Sequence, residues 1–155
     1  MAFRIISLLS FTLSIMLVLM ASRRATASDE AGVLLAFRAG LGARGSDMLA
    51  SWNSSTNICS WEGVACNRGQ RVVALSLPSY GLTGNLSPAI GNLDFLQTLN
   101  LTSNWFQGEV PSSIGRLVRL QTLDLSYNSS SMIPANLSFY VSLISLRLSN
   151  NQLHG

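Results

Sequence analysis

Leucine alternates with small polar residues in four short runs, and the runs return at a nearly fixed interval. Leu75, Leu99, Leu123 and Leu146 are spaced by 24, 24 and 23 residues, and each has a second leucine two places on, at Leu77, Leu101, Leu125 and Leu148. Such alternation predicts one short strand per interval, with the leucines on one side and Thr98, Asn100, Thr102 and their counterparts on the other. A period in the twenties marks a solenoid, in which each unit carries an apolar side that only its neighbours cover.

The residues between the strands fit the same coil. Three places beyond each leucine pair stand Asn104, Asn128 and Asn151, with Tyr80 in the first unit. A corner leaves backbone amides and carbonyls without strand partners, and a buried asparagine serves both kinds at once. Leu82 and Phe106 then face inward, Gly84 and Gly108 permit a tight turn, and Ile90, Ile114 and Leu137 cover the back. The third unit is one residue short, and Ser130 stands where Phe106 stands one unit earlier, so a local irregularity with a polar core position is expected there. The spacing fits a leucine-rich repeat: an α/β solenoid, wound as a right-handed coil, with a parallel sheet on its concave side.

Ahead of the repeats the pattern changes twice. Arg4 precedes an apolar run from Ile5 to Ala21, and Ala25-Thr26-Ala27 supplies the small-x-small motif of signal-peptide cleavage. The expected organisation is therefore a signal peptide over 1–27, an N-terminal cap over 28–71 and about three and a half repeats over 72–155. A retained anchor is the competing reading, but the run is at the lower edge of what spans a bilayer and the cleavage motif follows it closely. Within the cap, Ser28-Asp29-Glu30 offers a helix start with acids in the first turn. Ala31, Leu34, Leu35, Arg38 and Leu41 follow at helical spacing, and Gly40, Gly42 and Gly45 stop the helix.

Charge narrows the partners. The formal net charge of +3 comes from ten arginines and no lysine. Three of the arginines, Arg4, Arg23 and Arg24, leave with the signal, so seven remain against seven acids and no basic stripe survives for nucleic acid. Cys59 and Cys66 lie seven apart. In a secreted chain they read as a disulfide; a zinc site needs two further ligands, and the one histidine, His154, is distant.

The cap also carries a resemblance. DEAGVLLAFRAGL, LASWN and CSWEGVACN, with Trp52, Cys59, Trp61, Gly63, Val64 and Cys66 at their signature positions, resemble the N-terminal cap of plant extracellular leucine-rich-repeat proteins. The repeats, with Gly84, Gly108 and Pro111, are similar to that family's plant-specific type. The resemblance implies an extracellular protein- or peptide-binding segment, like the ligand-recognising end of a receptor-like kinase or receptor-like protein, in the apoplast or at the cell surface. It would be held at the plasma membrane only through a transmembrane helix of a longer parent. The implied partners are a protein or peptide ligand and, in the receptor reading, a co-receptor. Two alternatives stay open: a secreted inhibitor of microbial cell-wall-degrading enzymes, and a truncated receptor fragment without function, since the sequence stops at Gly155 in mid-repeat with Leu146, Leu148 and Leu153 at an open apolar end.

No catalytic chemistry is expected. Gly40-Leu41-Gly42-Ala43-Arg44-Gly45 matches GxGxxG, but a helical pattern precedes it where a strand is needed, so it reads as a flexible linker between cap helices. The chain has no lysine, no HRD and no DFG, which excludes a protein kinase, and no acid–base dyad or metal cluster emerges. It therefore reads as a non-enzyme without a metal or small-molecule cofactor. Recognition would use the outward strand residues, among which Tyr127, Asp124 and Arg147 stand out because aromatics and arginine anchor interfaces, with Thr98 and Thr122 beside them. Five N-x-S/T sequons occur. Asn53, Asn85 and Asn136 are the better expected acceptors, Asn100 is a further candidate although it projects from the concave sheet where a glycan would obstruct a ligand, and Asn128 is expected to stay bare at its corner.

Overall fold

The structure is a computed structural model that describes residues 27–132 and 142–153. The cap opens with α1 (Ala27–Ala39), followed by a short α2 (Ala43–Met48) and then by β1 (Val64–Cys66). Each coil supplies a strand to a five-stranded sheet, and these are β2 (Val72–Ser76), β4 (Thr98–Asn100), β6 (Thr122–Asp124) and β8 (Ser145–Arg147). The repeat strands pair in parallel and in the register of the leucines, Leu75 with Leu99, Leu99 with Leu123 and Leu123 with Leu146. The cap strand β1 joins the same sheet antiparallel to β2, which gives the sheet a hydrogen-bonded end.

A second sheet was not anticipated. β3 (Thr83–Asn85), β5 (Trp105–Glu109) and β7 (Ser129–Met132) run parallel where the sequence suggested only turns. The irregularity expected in the third coil is present, since the β5–β7 register shifts between Gly108 and Glu109 and Ser130 is buried. Short 3-10 turns at Pro88–Asn92 and Ser112–Arg116 close the back, and they touch so closely that a Cβ on Gly91 would lie 2.3 Å from the Ser113 carbonyl oxygen.

The leucine positions are the core. Leu75, Leu77, Leu99, Leu101, Leu123 and Leu125 are buried, together with Leu82, Ile90, Phe106 and Ile114. Each stabilises the fold by roughly 1.5–3 kcal/mol relative to exposure. Leu146, which has a described coil on one side only, is 42% exposed.

Asparagine corners tie the coils together. The Asn104 side chain accepts from the Leu82 amide at 3.0 Å and donates to the carbonyls of Leu77 and Leu101 at 2.8 and 3.0 Å. Asn128 repeats this one coil later with the Phe106 amide and the Leu101 and Leu125 carbonyls, and Asn151 with the Ser130 amide and the Leu125 and Leu148 carbonyls. Tyr80, which takes the corner in the first coil, turns its hydroxyl to Glu62 Oε1 of the cap instead.

The cap departs from expectation in two respects. α1 turns Glu30, Leu34, Phe37 and then Leu41 to the core, leaving Ala31 and Leu35 half-buried, because Phe37 packs between Trp52 and Phe106 with ring centroids 6.0 and 6.1 Å away. The glycine run is a packed seam and not a flexible linker. The Gly42 amide donates to the Thr83 carbonyl at 3.2 Å and Leu41 bridges to Gly84, whose φ of +108° and closeness to the Gly40 carbonyl leave no room for a side chain. Trp52 and Trp61 stack at 5.5 Å, and Arg38 donates to the Ser46 and Trp52 carbonyls at 3.2 and 2.6 Å. Cys59 and Cys66 form the expected disulfide, with Cα atoms 5.5 Å apart. Closing so small a loop contributes roughly 2–3 kcal/mol on the chain-entropy account.

Residues 1–26 of the expected signal peptide, the back-face residue Leu137, the sequon at Asn136, and His154 lie outside the described residues.

Candidate functional site

Parallel pairing in register lines up the outward side chains of the large sheet in rows. Thr98, Thr122 and Ser145 form one row, continued by Ala74 on the cap side. Ser76, Asn100, Asp124 and Arg147 form the next. The two threonines are half-buried, and the rows set hydroxyl, amide and charged side chains side by side on one face of the sheet.

Charge on this surface is concentrated at one pair. Arg147, with 68% of its side chain exposed, lies 3.6 Å from Asp124 Oδ2. Asp124 itself is only 8% exposed, which corrects the expectation of an outward anchor. Its Oδ1 accepts the Ser126 amide at 3.0 Å, so the carboxylate folds down onto its own turn and lies between Asn100 and Arg147 of the flanking coils. Asn100 makes the same turn one coil earlier, accepting from the Thr102 amide at 3.1 Å. Asp124 therefore faces its own turn, and Arg147 is the exposed member of the pair. Ser126, also expected outward, is buried.

Tyr127 belongs to a different place. It follows β6 at the corner, with φ of +56°, in the position that Ser79, Ser103 and Asn150 hold in the other coils at +60°, +56° and +54°. A bulky side chain in the left-handed region costs roughly 1–2 kcal/mol, yet Tyr127 is 59% exposed. Beside it, at the start of β5, Trp105 is 66% exposed. The two flank a cleft of about 390 Å³ whose other walls are Ser103, Asn104, Asn128 and Ser129. Trp105 went unnoticed in the sequence, although a tryptophan directly after the corner asparagine, where the next coil has Ser129, was the available signal.

A second missed feature lies on the flank. Arg71, Phe95 and Arg119 occupy one position in successive coils, and both guanidinium groups sit over the Phe95 ring, 4.3 and 4.2 Å from its centroid. Arg71 also reaches the cap, donating from Nε and Nη2 to Glu30 Oε1 at 3.0 and 2.7 Å. Among the described residues no group of three or more His, Cys, Asp or Glu is placed to hold a metal ion.

Comparison with known proteins agrees with this architecture. The leucine rich repeat N-terminal domain matches residues 27–67, and the leucine rich repeat matches 95–117 and 119–139, together more than half of the chain. The chain belongs to the plant extracellular leucine-rich-repeat family. Among its relatives, the leucine-rich-repeat receptor-like serine/threonine-protein kinase EFR of Arabidopsis thaliana is 41% identical over 97 residues, which is 61% of this chain and 9% of that protein. The leucine-rich-repeat ectodomain of the Arabidopsis thaliana receptor kinase SOBIR1 superposes with a TM-score of 0.66 at 34% identity, covering 79% of this chain and 66% of that one. The ectodomain of the Arabidopsis receptor kinase HAESA, solved in complex with an IDA peptide hormone ligand, gives 0.74 at 30% identity over 83% of this chain and 22% of that one. This leucine-rich-repeat chain spans only 8% to 11% of the length of the first curated relatives it matches. The kinase activity in the EFR name is that protein's, whereas the described residues here are cap and repeats throughout.

Proposed function

We propose that this chain is the cap-proximal part of an extracellular recognition domain that binds a peptide or protein along its five-stranded sheet. The observation that carries this reading is the pair of registered rows, Thr98–Thr122–Ser145 and Asn100–Asp124–Arg147, with Arg147 exposed and held by Asp124. An extended peptide laid across parallel strands meets hydroxyls, amides and one cation at regular intervals without any rearrangement of the sheet, so little affinity is lost to ordering. A relative solved with a peptide hormone supports the same choice. A co-receptor would meet the outer part of such a complex.

Secretion completes the proposal. Cleavage before Ser28, a cap over 28–71 and repeats from 72 onward are the proposed boundaries, and the Cys59–Cys66 disulfide suits an oxidising compartment. Glycans are proposed on Asn53, Asn85 and Asn136, and one on Asn100 would obstruct the sheet. Among the described residues no helix is long and apolar enough to cross a membrane.

The test is a binding screen of the full chain, secreted from plant cells, against a synthetic library of short secreted peptides. A hit weakened at least tenfold by Arg147→Ala or by the Thr98→Val/Thr122→Val double variant is the expected result. No peptide hit, with inhibition of a microbial pectin-degrading hydrolase in its place, would replace this reading by the inhibitor one.

A further inference from the structure

The cleft between Trp105 and Tyr127 is built for a ligand of a different chemistry from the sheet's. We propose that it is a carbohydrate subsite that takes a neutral, equatorially substituted oligosaccharide of the β-1,4-glucan kind.

Three observations meet here. None of the six residues around the cleft, Ser103, Asn104, Trp105, Tyr127, Asn128 and Ser129, carries a formal charge, so nothing in it favours an ionic ligand. Two of its walls are exposed aromatic side chains, and the polar ends of Trp105, Tyr127, Ser103 and Ser129 have no protein partner among the described residues. The floor is already saturated: the Asn104 and Asn128 amides are spent on the Leu77, Leu101 and Leu125 carbonyls, so it does not reorganise when a ligand arrives.

A β-linked glucose unit matches this set. Its equatorial hydroxyls leave two flat C–H faces, which stack on the negative face of an aromatic ring, while the hydroxyls around its edge need the donors and acceptors that an indole N–H, a phenol and two serines provide. The volume falls in the range of about 300–1,000 Å³ usual for small-ligand sites. The backbone adds a separate argument. Tyr127 holds a left-handed conformation that the other coils give to Ser79, Ser103 and Asn150, and its ring is not buried in exchange. Strain of this kind persists where the side chain is needed.

The experiment is a titration of the full secreted chain with cellohexaose, read by acrylamide quenching of tryptophan fluorescence. Of the three tryptophans, Trp52 and Trp61 are buried, so the quenchable signal comes from Trp105. Cellohexaose is expected to shield that signal, and Trp105→Ala and Tyr127→Ser to weaken binding at least tenfold, measured calorimetrically, with no fall in the thermal midpoint. Serine is chosen at 127 because Ser79 and Ser103 hold the same left-handed conformation in other coils, whereas asparagine there would create a sequon with Ser129. Arg147→Ala should leave glucan binding intact, which separates this site from the sheet. The proposal is overturned if millimolar cellohexaose gives no shielding, if both cleft variants still bind, if Arg147→Ala abolishes binding, or if hexagalacturonic acid or a peptide is bound at Trp105 in preference to cellohexaose.

Discussion

Glu30, in the first turn of the cap helix, is fully buried and bound to Arg71 at the threshold of the first repeat, with Arg71 Nη2 2.7 Å from Glu30 Oε1. The other carboxylate oxygen accepts the Val72 amide at 2.9 Å, so one side chain fixes the cap to β2 across 41 and 42 residues of sequence. Arg71 passes the connection on to the Phe95 ring of the next coil.

Removing this carboxylate leaves a half-buried guanidinium without its ion partner and the buried Val72 amide without an acceptor. Breaking one side of a buried pair costs about 3–5 kcal/mol. Glu30→Ala is accordingly expected to lower the unfolding free energy measured in urea by up to that amount and to loosen the cap before the repeats. Glu30→Gln, which keeps an acceptor, should cost less. Amide hydrogen exchange at Val72 checks the assignment, since protection there should fall first.

The asparagine corners make a graded prediction. Asn104→Ala orphans the Leu82 amide and the Leu77 carbonyl, both buried, at about 1–3 kcal/mol for each unsatisfied group. Asn151→Ala, at a half-buried corner, should cost clearly less because water reaches its partners. Equal losses in chemical denaturation would mean that the corner hydrogen bonds do not carry the coupling between coils.

Tyr80 supplies a pH dependence. The hydrogen bond it donates to Glu62, then partial burial, then the Glu62 charge, hold its phenol above the ordinary value of 10.0. Because the folded value is raised, the stabilisation is fully present below the unfolded pKa and disappears as pH climbs through the folded one. Wild type and Tyr80→Phe should therefore differ in urea midpoint near neutral pH and converge in strong alkali. In the spectrophotometric titration of the folded protein, a phenol that ionises above the ordinary value should be missing from the variant.

Glycan occupancy should follow hydrogen bonding. Asn128 Nδ2 donates to the carbonyls of Leu101, Leu125 and Ser126 and is expected to be bare. Asn85, exposed on β3, and Asn53, whose Nδ2 makes a single exposed bond to the Ser51 carbonyl in the cap loop, are the expected acceptors. A glycopeptide map showing Asn128 occupied and Asn53 empty would reverse this order.

The sequence alone determined the coil. Leucines two apart, asparagine three beyond and a 24-residue return are local regularities, and any chain that buries them must stack its units in parallel. The disulfide of Cys59 and Cys66 and the polar core position of Ser130 were legible for the same reason, since each follows from a residue's place within one unit. Tertiary structure decided everything that depends on a partner in another unit. Thr83–Asn85 and Ser129–Met132 are strands only because Trp105–Glu109 lies between them. Glu30 and Phe37 face the core because Arg71, Val72, Trp52 and Phe106 come to meet them. Asp124 withdraws from the surface to its own turn while Arg147 stays out, and Trp105 and Tyr127 share a cleft because successive corners lie one above the other. Period and alternation report which way a side chain points relative to its own strand; they carry no information on which residue 20 to 40 places away will be there to receive it.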